Sequence, residues 1–455
     1  MTYHARRLLF LFSIFVFLAL SGPLLLYTFG YRFSLSNFDI HKTGGIFVHT
    51  NPPGTSFVIG DIERTTSYLT GNAFIQNLRP APYMAWISRE NYQSWEKTID
   101  VEPQSVTEIF PVLMPVVPTV AVLKTASSTN MRASPQASLL ILHHAKNTKH
   151  AYEFFDPNLL RTIPFTDTSS QSLMASVPPN AIWSWNALES TALIETPDNW
   201  LELTRQDNII RVRSLYNQMP LPRLITQDPR NLNSYFLLDG TNFARWNSET
   251  RAKQQLLQSI AGFFVGDSYL ILWDMQSGLP QVTTLDATQP RPYATSSLPV
   301  IIESRIQQIG DTLLLISNKG TWLLSNAGNP AQLLTNSSNP QNILHTDAYI
   351  LWWNNQEISI HWISREEQLP SFQKNKQEIL YKSSGTIQNV MPYPEEHYVI
   401  IQEDNTIYTL ELDGRGGTRN KHILYKGNKP SFFAPPQKKI LYVFDGGSLF
   451  AIDLP

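Results

Sequence analysis

The chain has 455 residues, of which 42% are hydrophobic and 16% charged, with a formal net charge of −2 and no cysteine. This length exceeds one ordinary core and predicts at least two domains. The charge balance leaves no basic excess for phosphates, so we expect no nucleic-acid partner. The lack of cysteine excludes disulfides, cysteine-ligated zinc and a thiol nucleophile.

The first element is a long uncharged segment, "LLFLFSIFVFLALSGPLLLYTFGY", over residues 8–31. Roughly 20 apolar residues span the ~30 Å hydrocarbon core of a bilayer, so this stretch predicts a transmembrane helix. The alternative is a cleaved signal peptide, with Arg6 and Arg7 as its positive start. The apolar run continues past the small-residue pair Ser21 and Gly22, which favours an uncleaved anchor.

The topology expected from this anchor is a single pass. A short N-terminus ahead of a lone apolar segment usually stays inside, so residues 1–7 are predicted to be cytoplasmic and the bulk of the chain to lie outside the cytoplasm at the cell membrane. Basic residues are almost balanced on the two sides, and the inverted topology would make the protein a cytoplasm-facing sensor. Residues 32–42 are predicted to be a linker.

Next comes "GGIFVHTNPPGTSFVIGD", Gly44 to Asp61, which has the pattern of strand, hard turn and strand. Alternation places Ile46 and Val48 on one face of the first strand. The prolines of "NPPG" cannot donate ladder hydrogen bonds, and its glycine tolerates a positive φ. The pattern therefore predicts a small, tight β-hairpin.

Alternating runs continue at Tyr83–Ser88, Trp95–Val101 and Thr107–Leu113. Six or seven short strands fit into about 70 residues, and that density is typical of a small β-sandwich. We therefore predict such a domain over residues 43–115.

This segment resembles the PEGA domain family. "NPPGTSFVIGD" stands at the naming motif, "LRPAPYMAWISRENY" matches the next block, and "WEKTIDVEPQSVTEIFPVLMP" matches the closing strands. The departures are a proline in place of the usual glutamate, "TTSYL" in place of the Thr-Pro segment, and Asn91 in place of glycine. The resemblance implies a β-sandwich module of envelope and surface proteins, without a known catalytic site, that acts as a spacer or as a protein- or wall-contacting unit.

Residues 118–455 repeat an apolar strand, a tight polar turn and further apolar strands. The turns recur every 36 to 50 residues or so, a period typical of a β-propeller with four strands per blade. This predicts seven or eight blades and an all-β fold overall. The chain ends on a third strand, "SLFAIDL", and the early strand Thr119–Lys124 could supply the fourth and close the ring. A tandem of irregular β-sandwiches is the alternative.

Motifs that suggest chemistry are weak in this chain. The glycine-rich stretch Leu412–Asn420 has Arg419 where a dinucleotide loop needs its third glycine, and it is followed by a strand, so we interpret it as an inter-strand turn. His143 and His144 have no ligand partner at a suitable spacing, so we expect no metal. The acidic pairs Glu366-Glu367 and Glu395-Glu396 fall in polar loops and are expected to be solvated. We predict no cofactor and no catalytic residue.

Tryptophans are the remaining candidates for a site, because an aromatic face can stack on a sugar or clasp a peptide, although most tryptophans of a propeller pack between blades. Trp183 and Trp185 lie two apart and should share a face, whereas Trp352 and Trp353 should point to opposite faces. The possible ligand-stacking residues are Trp183, Trp185, Trp352, Trp353 and Trp362.

The function predicted from these features is that of a membrane-anchored, non-enzymatic scaffold outside the cytoplasm. It would bind an envelope protein or glycan through the loops or central funnel of the propeller. The alternative is a tethered glycan hydrolase or lyase, which requires carboxylates converging on the central channel from several blades.

Overall fold

The computed structural model describes residues 3–28, 31–34, 39–125, 128, 130–146, 149–186, 188–215, 221–288, 290–293, 305–309, 312–317, 320–325, 332–335, 342–346, 348–363, 376–394, 397–436 and 438–455. Within these ranges the fold is almost entirely β, with two α-helices, α1 (Tyr3–Thr28) and α2 (Thr168–Ala175). The Asp167 side chain caps α2 by accepting a hydrogen bond from the Ser170 amide at 2.6 Å.

The structure describes the N-terminal helix over Tyr3–Thr28, and Tyr31 pairs with Lys42 in a two-stranded sheet. In the part of the chain that the structure describes, no helix meets the combined requirements of length and apolarity for crossing a membrane. The two-stranded sheet, β1 (Tyr31–Ser34) with β2 (Asp39–Lys42), lies in the stretch predicted as a linker.

Seven strands follow, in two sheets. The strands are β3 (Gly44–His49), β4 (Ser56–Ile59), β5 (Ile62–Thr65), β6 (Asn72–Leu78), β7 (Pro82–Ser88), β8 (Trp95–Asp100) and β9 (Val106–Ile109). One sheet has the order β6-β3-β9 and the other β5-β4-β7-β8. Both sheets contribute to one buried core, for example Val48 from the first and Phe57 from the second, each 0% exposed. We call this unit the sandwich.

The predicted hairpin at Gly44–Asp61 is wrong. β3 pairs with β6 and β9, whereas β4 pairs with β5 and β7, so the two strands belong to different sheets. The reason is the turn itself: Pro52 and Pro53 have no amide hydrogen to extend a ladder, and the chain crosses from one sheet to the other there. The predicted faces of β3 are confirmed, because Ile46 and Val48 are both buried.

The rest of the chain forms antiparallel four-stranded sheets of consecutive strands. The first sheet contains β11 (Asn130–Ala133), β12 (Leu140–Lys146), β13 (Lys149–Asp156) and β14 (Arg161–Ile163), and the second contains β15 (Ile182–Trp185), β16 (Thr191–Thr196), β17 (Asn199–Gln206) and β18 (Ile209–Ser214). The third contains β19 (Leu224–Asp228), β20 (Asn231–Asp239), β21 (Asn242–Asn247) and β22 (Lys253–Leu257), and the fourth contains β23 (Ile260–Val265), β24 (Tyr269–Asp274), β25 (Pro280–Thr284) and β26 (Arg291–Pro292). We number these sheets blades 1 to 4.

Blades 5 to 8 follow the same scheme, except that the last one borrows a strand. Blade 5 contains β27 (Arg305–Ile309), β28 (Thr312–Ser317), β29 (Gly320–Ser325) and β30 (Gln332–Thr335), and blade 6 contains β31 (Ile343–His345), β32 (Tyr349–Trp353), β33 (Glu357–Trp362) and β34 (Gln377–Lys382). Blade 7 contains β35 (Ile387–Pro392), β36 (Tyr398–Glu403), β37 (Thr406–Glu411) and β38 (Lys421–Lys426), and blade 8 contains β39 (Ser431–Phe433), β40 (Ile440–Asp445) and β41 (Ser448–Asp453) together with β10 (Val120–Thr125).

The ring closes as the sequence predicted. β10 pairs antiparallel with β41, with Val120 opposite Ile452 and Thr125 opposite Ser448. The described residues thus form eight four-stranded blades. First strands of different blades contact one another, β11 with β39 and β19 with β23, so these strands surround the central axis. This is a β-propeller closed by its first and last strands.

Candidate functional site

The two ends of the propeller can be told apart from its topology. In a four-stranded meander the turn between the first and second strands and the turn between the third and fourth strands lie at the same end. We call this end of the propeller the lower face. Because the first strands surround the axis, their turns lie nearest to the central channel on this face.

A groove opens on the lower face where blades 2, 3 and 4 meet. It has a volume of about 370 Å³, which is within the usual size range of small-ligand sites. Its walls come from the ends of β15, β19 and β23 and from the turns that follow them. Its lining includes Ser184, Trp185, Leu188, Thr226, Gln227, Leu232, Val265 and Asp267. We call this site the lower-face groove.

The turns that form the groove are held by internal hydrogen bonds. The Asn186 side-chain oxygen accepts from the amides of Ser190 and Thr191 at 3.0 and 3.2 Å. Glu189, in the same turn, has a positive φ of 53°, and its carboxylate accepts hydrogen bonds from the hydroxyls of Ser134 and Ser138 of blade 1. The site is therefore largely formed before any ligand binds.

Trp185 is the one predicted stacking residue that lines the groove. Its ring lies 6.3 Å from that of Trp183 with an interplanar angle of 25°, so the two share a face as predicted. Trp183 in turn contacts Tyr152, with ring centroids 6.4 Å apart. Both tryptophans pack against the core between blades 1 and 2, which fixes the orientation of the Trp185 ring at the groove wall.

The polar groups of the groove are largely uncommitted. Among the described residues, the Ser184 and Thr226 hydroxyls and the Asp267 carboxylate make no hydrogen bond within the protein. Gln227 is held in place, since its side-chain amide donates to the Leu232 carbonyl at 2.9 Å. Burial, and after it the Asp267 charge, raises the pKa of Tyr269. Asp267 is the one ionisable side chain among the described lining residues.

The other three predicted tryptophans lie elsewhere. Trp352 and Trp353 point to opposite faces of blade 6, as predicted, and each packs against a separate apolar cluster. Trp362 is only 1% exposed, and its ring meets Tyr349 edge-on at 5.7 Å. A ligand in solvent cannot reach Trp362, so this residue belongs to the packing between blades.

The histidine pair lies in blade 1, away from the groove. His143 Nε2 and His150 Nδ1 are 3.0 Å apart, and His144 lies 3.6 Å from Glu153. Burial lowers the pKa of His143, and the neighbouring histidines and Arg132 lower it further. Within the described ranges, no group of three or more histidine, aspartate and glutamate side chains is arranged to hold a metal ion.

The acidic pairs Glu366-Glu367 and Glu395-Glu396 lie outside the described residues. The glycine-rich stretch Leu412–Asn420 is an inter-strand turn between β37 and β38, as predicted, and it includes a short 3₁₀ turn at Arg415–Gly417. This turn also packs against the sandwich and forms part of the junction between the two domains.

This junction is built around Lys97, whose side chain is fully buried. Its ammonium group lies 2.8 Å from Glu411 and 3.5 Å from Asp413, and it donates to the Asp413 carbonyl at 2.6 Å. Arg415 pairs with Asp413 at 2.7 Å and donates to the Glu108 carbonyl of the sandwich at 2.7 Å. A second contact stacks Phe110 on His397 at 4.3 Å.

The two buried carboxyls of the junction differ in their pKa. Burial raises the pKa of Glu411, with Lys97 acting in the opposite direction. Burial would also raise that of Asp413, but the hydrogen bonds from Arg415 and the charge of Lys97 outweigh it and bring the pKa to about 2. Burial lowers the pKa of the neighbouring His422 to about 4. Sequence reasoning missed this cluster, because Lys97 and Glu411 are distant in the chain.

The junction also shows on which face of the propeller the sandwich docks. The turn at Leu412–Asn420 joins the third and fourth strands of blade 7, and His397 lies in the turn between the first and second strands. The sandwich therefore docks on the lower face. The lower-face groove opens on the same side of the propeller as the sandwich, but at other blades of the ring.

A second cavity, of about 450 Å³, lies where α1 meets the sandwich. Its main cation is already engaged: the Arg32 guanidinium lies 3.7 Å from the centre of the Tyr27 ring and donates to the Asn77 side chain at 2.7 Å. These contacts join the end of the helix to the sandwich, and we regard this cavity as structural.

No family model matches the chain, and no curated protein matches it. Among solved structures, it is similar to the dihydro-heme d1 dehydrogenase NirN in complex with DHE, with 12% identity, a TM-score of 0.39, and coverage of 66% of this chain and 67% of that one. YCF48 from Cyanidioschyzon merolae has 11% identity, a TM-score of 0.36 and coverage of 61% and 97%. Porphyromonas gingivalis dipeptidyl peptidase 4 has 9% identity, a TM-score of 0.42 and coverage of 71% and 59%. At these TM-scores the likenesses identify neither a family nor an activity.

Proposed function

We propose that this protein is a non-enzymatic binding module of the cell envelope that holds a partner in the lower-face groove of its propeller. The observation that carries the proposal is the groove itself. It combines an aromatic wall, two exposed leucines, and hydroxyl and carboxylate groups that have no hydrogen-bond partner among the described residues. The turns that carry these groups are fixed by internal hydrogen bonds. Apolar walls with a few convergent polar groups are the usual composition of a ligand site.

The chemistry of the groove supports binding rather than catalysis. Glycoside hydrolysis as a rule needs two carboxyl groups on either side of the scissile bond, and the described lining supplies one, Asp267. The carboxylates of the junction are engaged by Lys97 and Arg415. A hydrolase or lyase function is therefore the weaker hypothesis.

The proposal for location rests on α1. Consecutive residues of this helix expose large apolar side chains on every side: Leu8 is 74% exposed, Leu9 56%, Phe10 64% and Leu11 64%. Leaving such surface in water is unfavourable by about 25 cal/mol for each Å². We propose that a lipid membrane covers it, with the sandwich, as a PEGA-like module, standing between membrane and propeller outside the cytoplasm.

The absence of cysteine from the chain allows a direct test of the groove. A single cysteine at Leu188→Cys, labelled with an environment-sensitive fluorophore, reports on the groove rim. The matched control is Leu221→Cys, which lies just before β19 at the other end of the same blades and is 41% exposed. Both labelled proteins are titrated with a detergent extract of the envelope, before and after protease treatment.

We expect a saturable fluorescence change at position 188 and none at position 221. A response that survives protease treatment indicates a glycan, and one that is lost indicates a protein. Equal responses at both positions, or none at either, would refute the groove as a binding site. Location is tested separately, by flotation of the protein with liposomes and by a reporter fused at Pro455: an active cytoplasmic reporter would contradict the proposed topology.

A further inference from the structure

We infer that the ligand of the lower-face groove is an extended polypeptide segment that carries apolar side chains and a basic one. This inference rests on the proposed function and names the class of its partner. It is drawn from the free edges of three strands, the apolar rim of the groove and the sign of its charge.

The first argument comes from the backbone. β15, β19 and β23 are each the terminal strand of their sheet, on the side of the central axis. The edge of a terminal strand presents N–H and C=O groups that no neighbouring strand pairs; on β23 one of them, the Ala261 carbonyl, already accepts a hydrogen bond from Arg223. A peptide backbone carries the complementary donors and acceptors, and adding a strand to a free edge is a recurring mode of peptide recognition. The Ser184 and Thr226 hydroxyls, on two of these strands, add side-chain partners for a peptide amide or carbonyl.

The second argument is the apolar rim. Leu188 is 82% exposed and Leu232 59% exposed, and they flank the groove whose wall is Trp185. Exposed aliphatic side chains gain free energy by burying apolar surface, and an aromatic residue beside them is a common anchor of protein interfaces. A leucine offers nothing to the hydroxyl groups that cover a sugar. The rim therefore favours apolar side chains of a polypeptide over a glycan.

The third argument is charge. Asp267 is negative, and the described lining contains no lysine, arginine or histidine to offset it. A cationic side chain gains from this carboxylate and from the face of a nearby tryptophan. An acidic side chain in the same position is repelled. The groove thus selects a basic residue beside the apolar ones.

The test uses the purified full-length chain and fluorescence anisotropy. The probe is fluorescein-labelled Leu-Lys-Leu-Lys-Leu with an amidated C-terminus, and its matched counterpart has glutamate in place of each lysine. A linear tetramer of N-acetylglucosamine serves as the competing glycan. The variants are Asp267→Asn, Leu188→Ser, and Leu221→Ser as the control at the opposite end of the blades.

We expect the lysine probe to bind at least about fivefold more tightly than the glutamate probe in low salt, since reversing the charge turns an attraction into a repulsion. Asp267→Asn should bring the two probes to within about twofold of each other, Leu188→Ser should weaken both, and Leu221→Ser should change neither. Displacement of the probe by the glycan, or binding of the glycan alone, would overturn the peptide inference while leaving the proposed function standing. No binding of either peptide up to millimolar concentration overturns the inference as well, and the labelled Leu188→Cys protein then reports whether the groove binds at all.

Discussion

The buried ion pairs between the sandwich and the propeller make a sharp quantitative prediction. Replacing Lys97 by methionine keeps the length and apolar character of the side chain but removes its charge. Asp413 keeps its partner Arg415 at 2.7 Å, so the group left without a counter-charge is Glu411, whose side chain is 4% exposed. Removing one partner of a buried pair costs about 3–5 kcal/mol. The Asn420 amide still donates to Glu411 at 2.9 Å, so we expect a loss of about 3 kcal/mol.

The assay is urea unfolding followed by tryptophan fluorescence and by circular dichroism, because two domains need not unfold together. The control is Lys253→Met, which breaks an exposed pair with Asp239 and should cost at most about 1 kcal/mol. The double variant Lys97→Met with Glu411→Leu should recover most of the loss, since replacing both partners of a buried pair with apolar groups is often neutral. If Lys97→Met costs no more than the control, the pair does not stabilise the junction.

The pH dependence of the same variant follows from the pKa of Glu411, which burial raises. When the pKa of an acid is higher in the folded than in the unfolded state, its contribution to stability is complete below the unfolded pKa. That contribution is lost as the pH rises through the folded pKa. Lys97→Met should therefore lose less stability at pH 4 than at pH 8, because a protonated Glu411 needs no counter-charge. A loss that grows on acidification would contradict this account.

Three further predictions concern the junction and the ring. In urea unfolding, Gly416→Ala should weaken docking of the sandwich more than Gly417→Ala does. Both glycines have a positive φ, but a Cβ at Gly416 would lie 2.4 Å from a carbonyl oxygen of the sandwich, whereas a Cβ at Gly417 would meet nothing within 4 Å. Ala121 and Ala451 lie opposite each other in β10 and β41, so the double variant Ala121→Cys with Ala451→Cys should form a disulfide. This bond should stabilise the fold by about 2–4 kcal/mol and so raise the midpoint of thermal unfolding. If reduction does not lower that midpoint, opening of the ring does not limit the stability of the propeller. Asp413 has a pKa of about 2, below that of an unfolded aspartate. Its contribution of about 2 kcal/mol to the free energy of unfolding is therefore present above pH 4 and lost as the pH falls toward 2. In Asp413→Asn the free energy of unfolding should depend less on pH between pH 4 and pH 2.

The sequence predicted only part of the lining of the groove. The spacing of Trp183 and Trp185 predicts that they share a face, and Trp185 does line the site. Nothing in the chain predicts that Leu232 and Asp267 join it, because they come from two other blades. Which tryptophan faces solvent was equally undecided: Trp362 has the same local pattern as its neighbours but is buried by the adjacent blade.

The sequence by itself predicted the β-propeller, because strand alternation and turn spacing are local patterns, and the same strand count predicted how the ring closes. Side chains alternate along the strands, turns recur at a regular spacing, and β10 completes the last blade as its fourth strand. For the segments on either side of "NPPG" the sequence predicted a hairpin, whereas the structure places them in different sheets. Nor did the sequence give any sign of the buried contact between Lys97 and Glu411. Side-chain contacts between the sandwich and the propeller follow from the packing of whole domains, and the sequence alone does not reveal them.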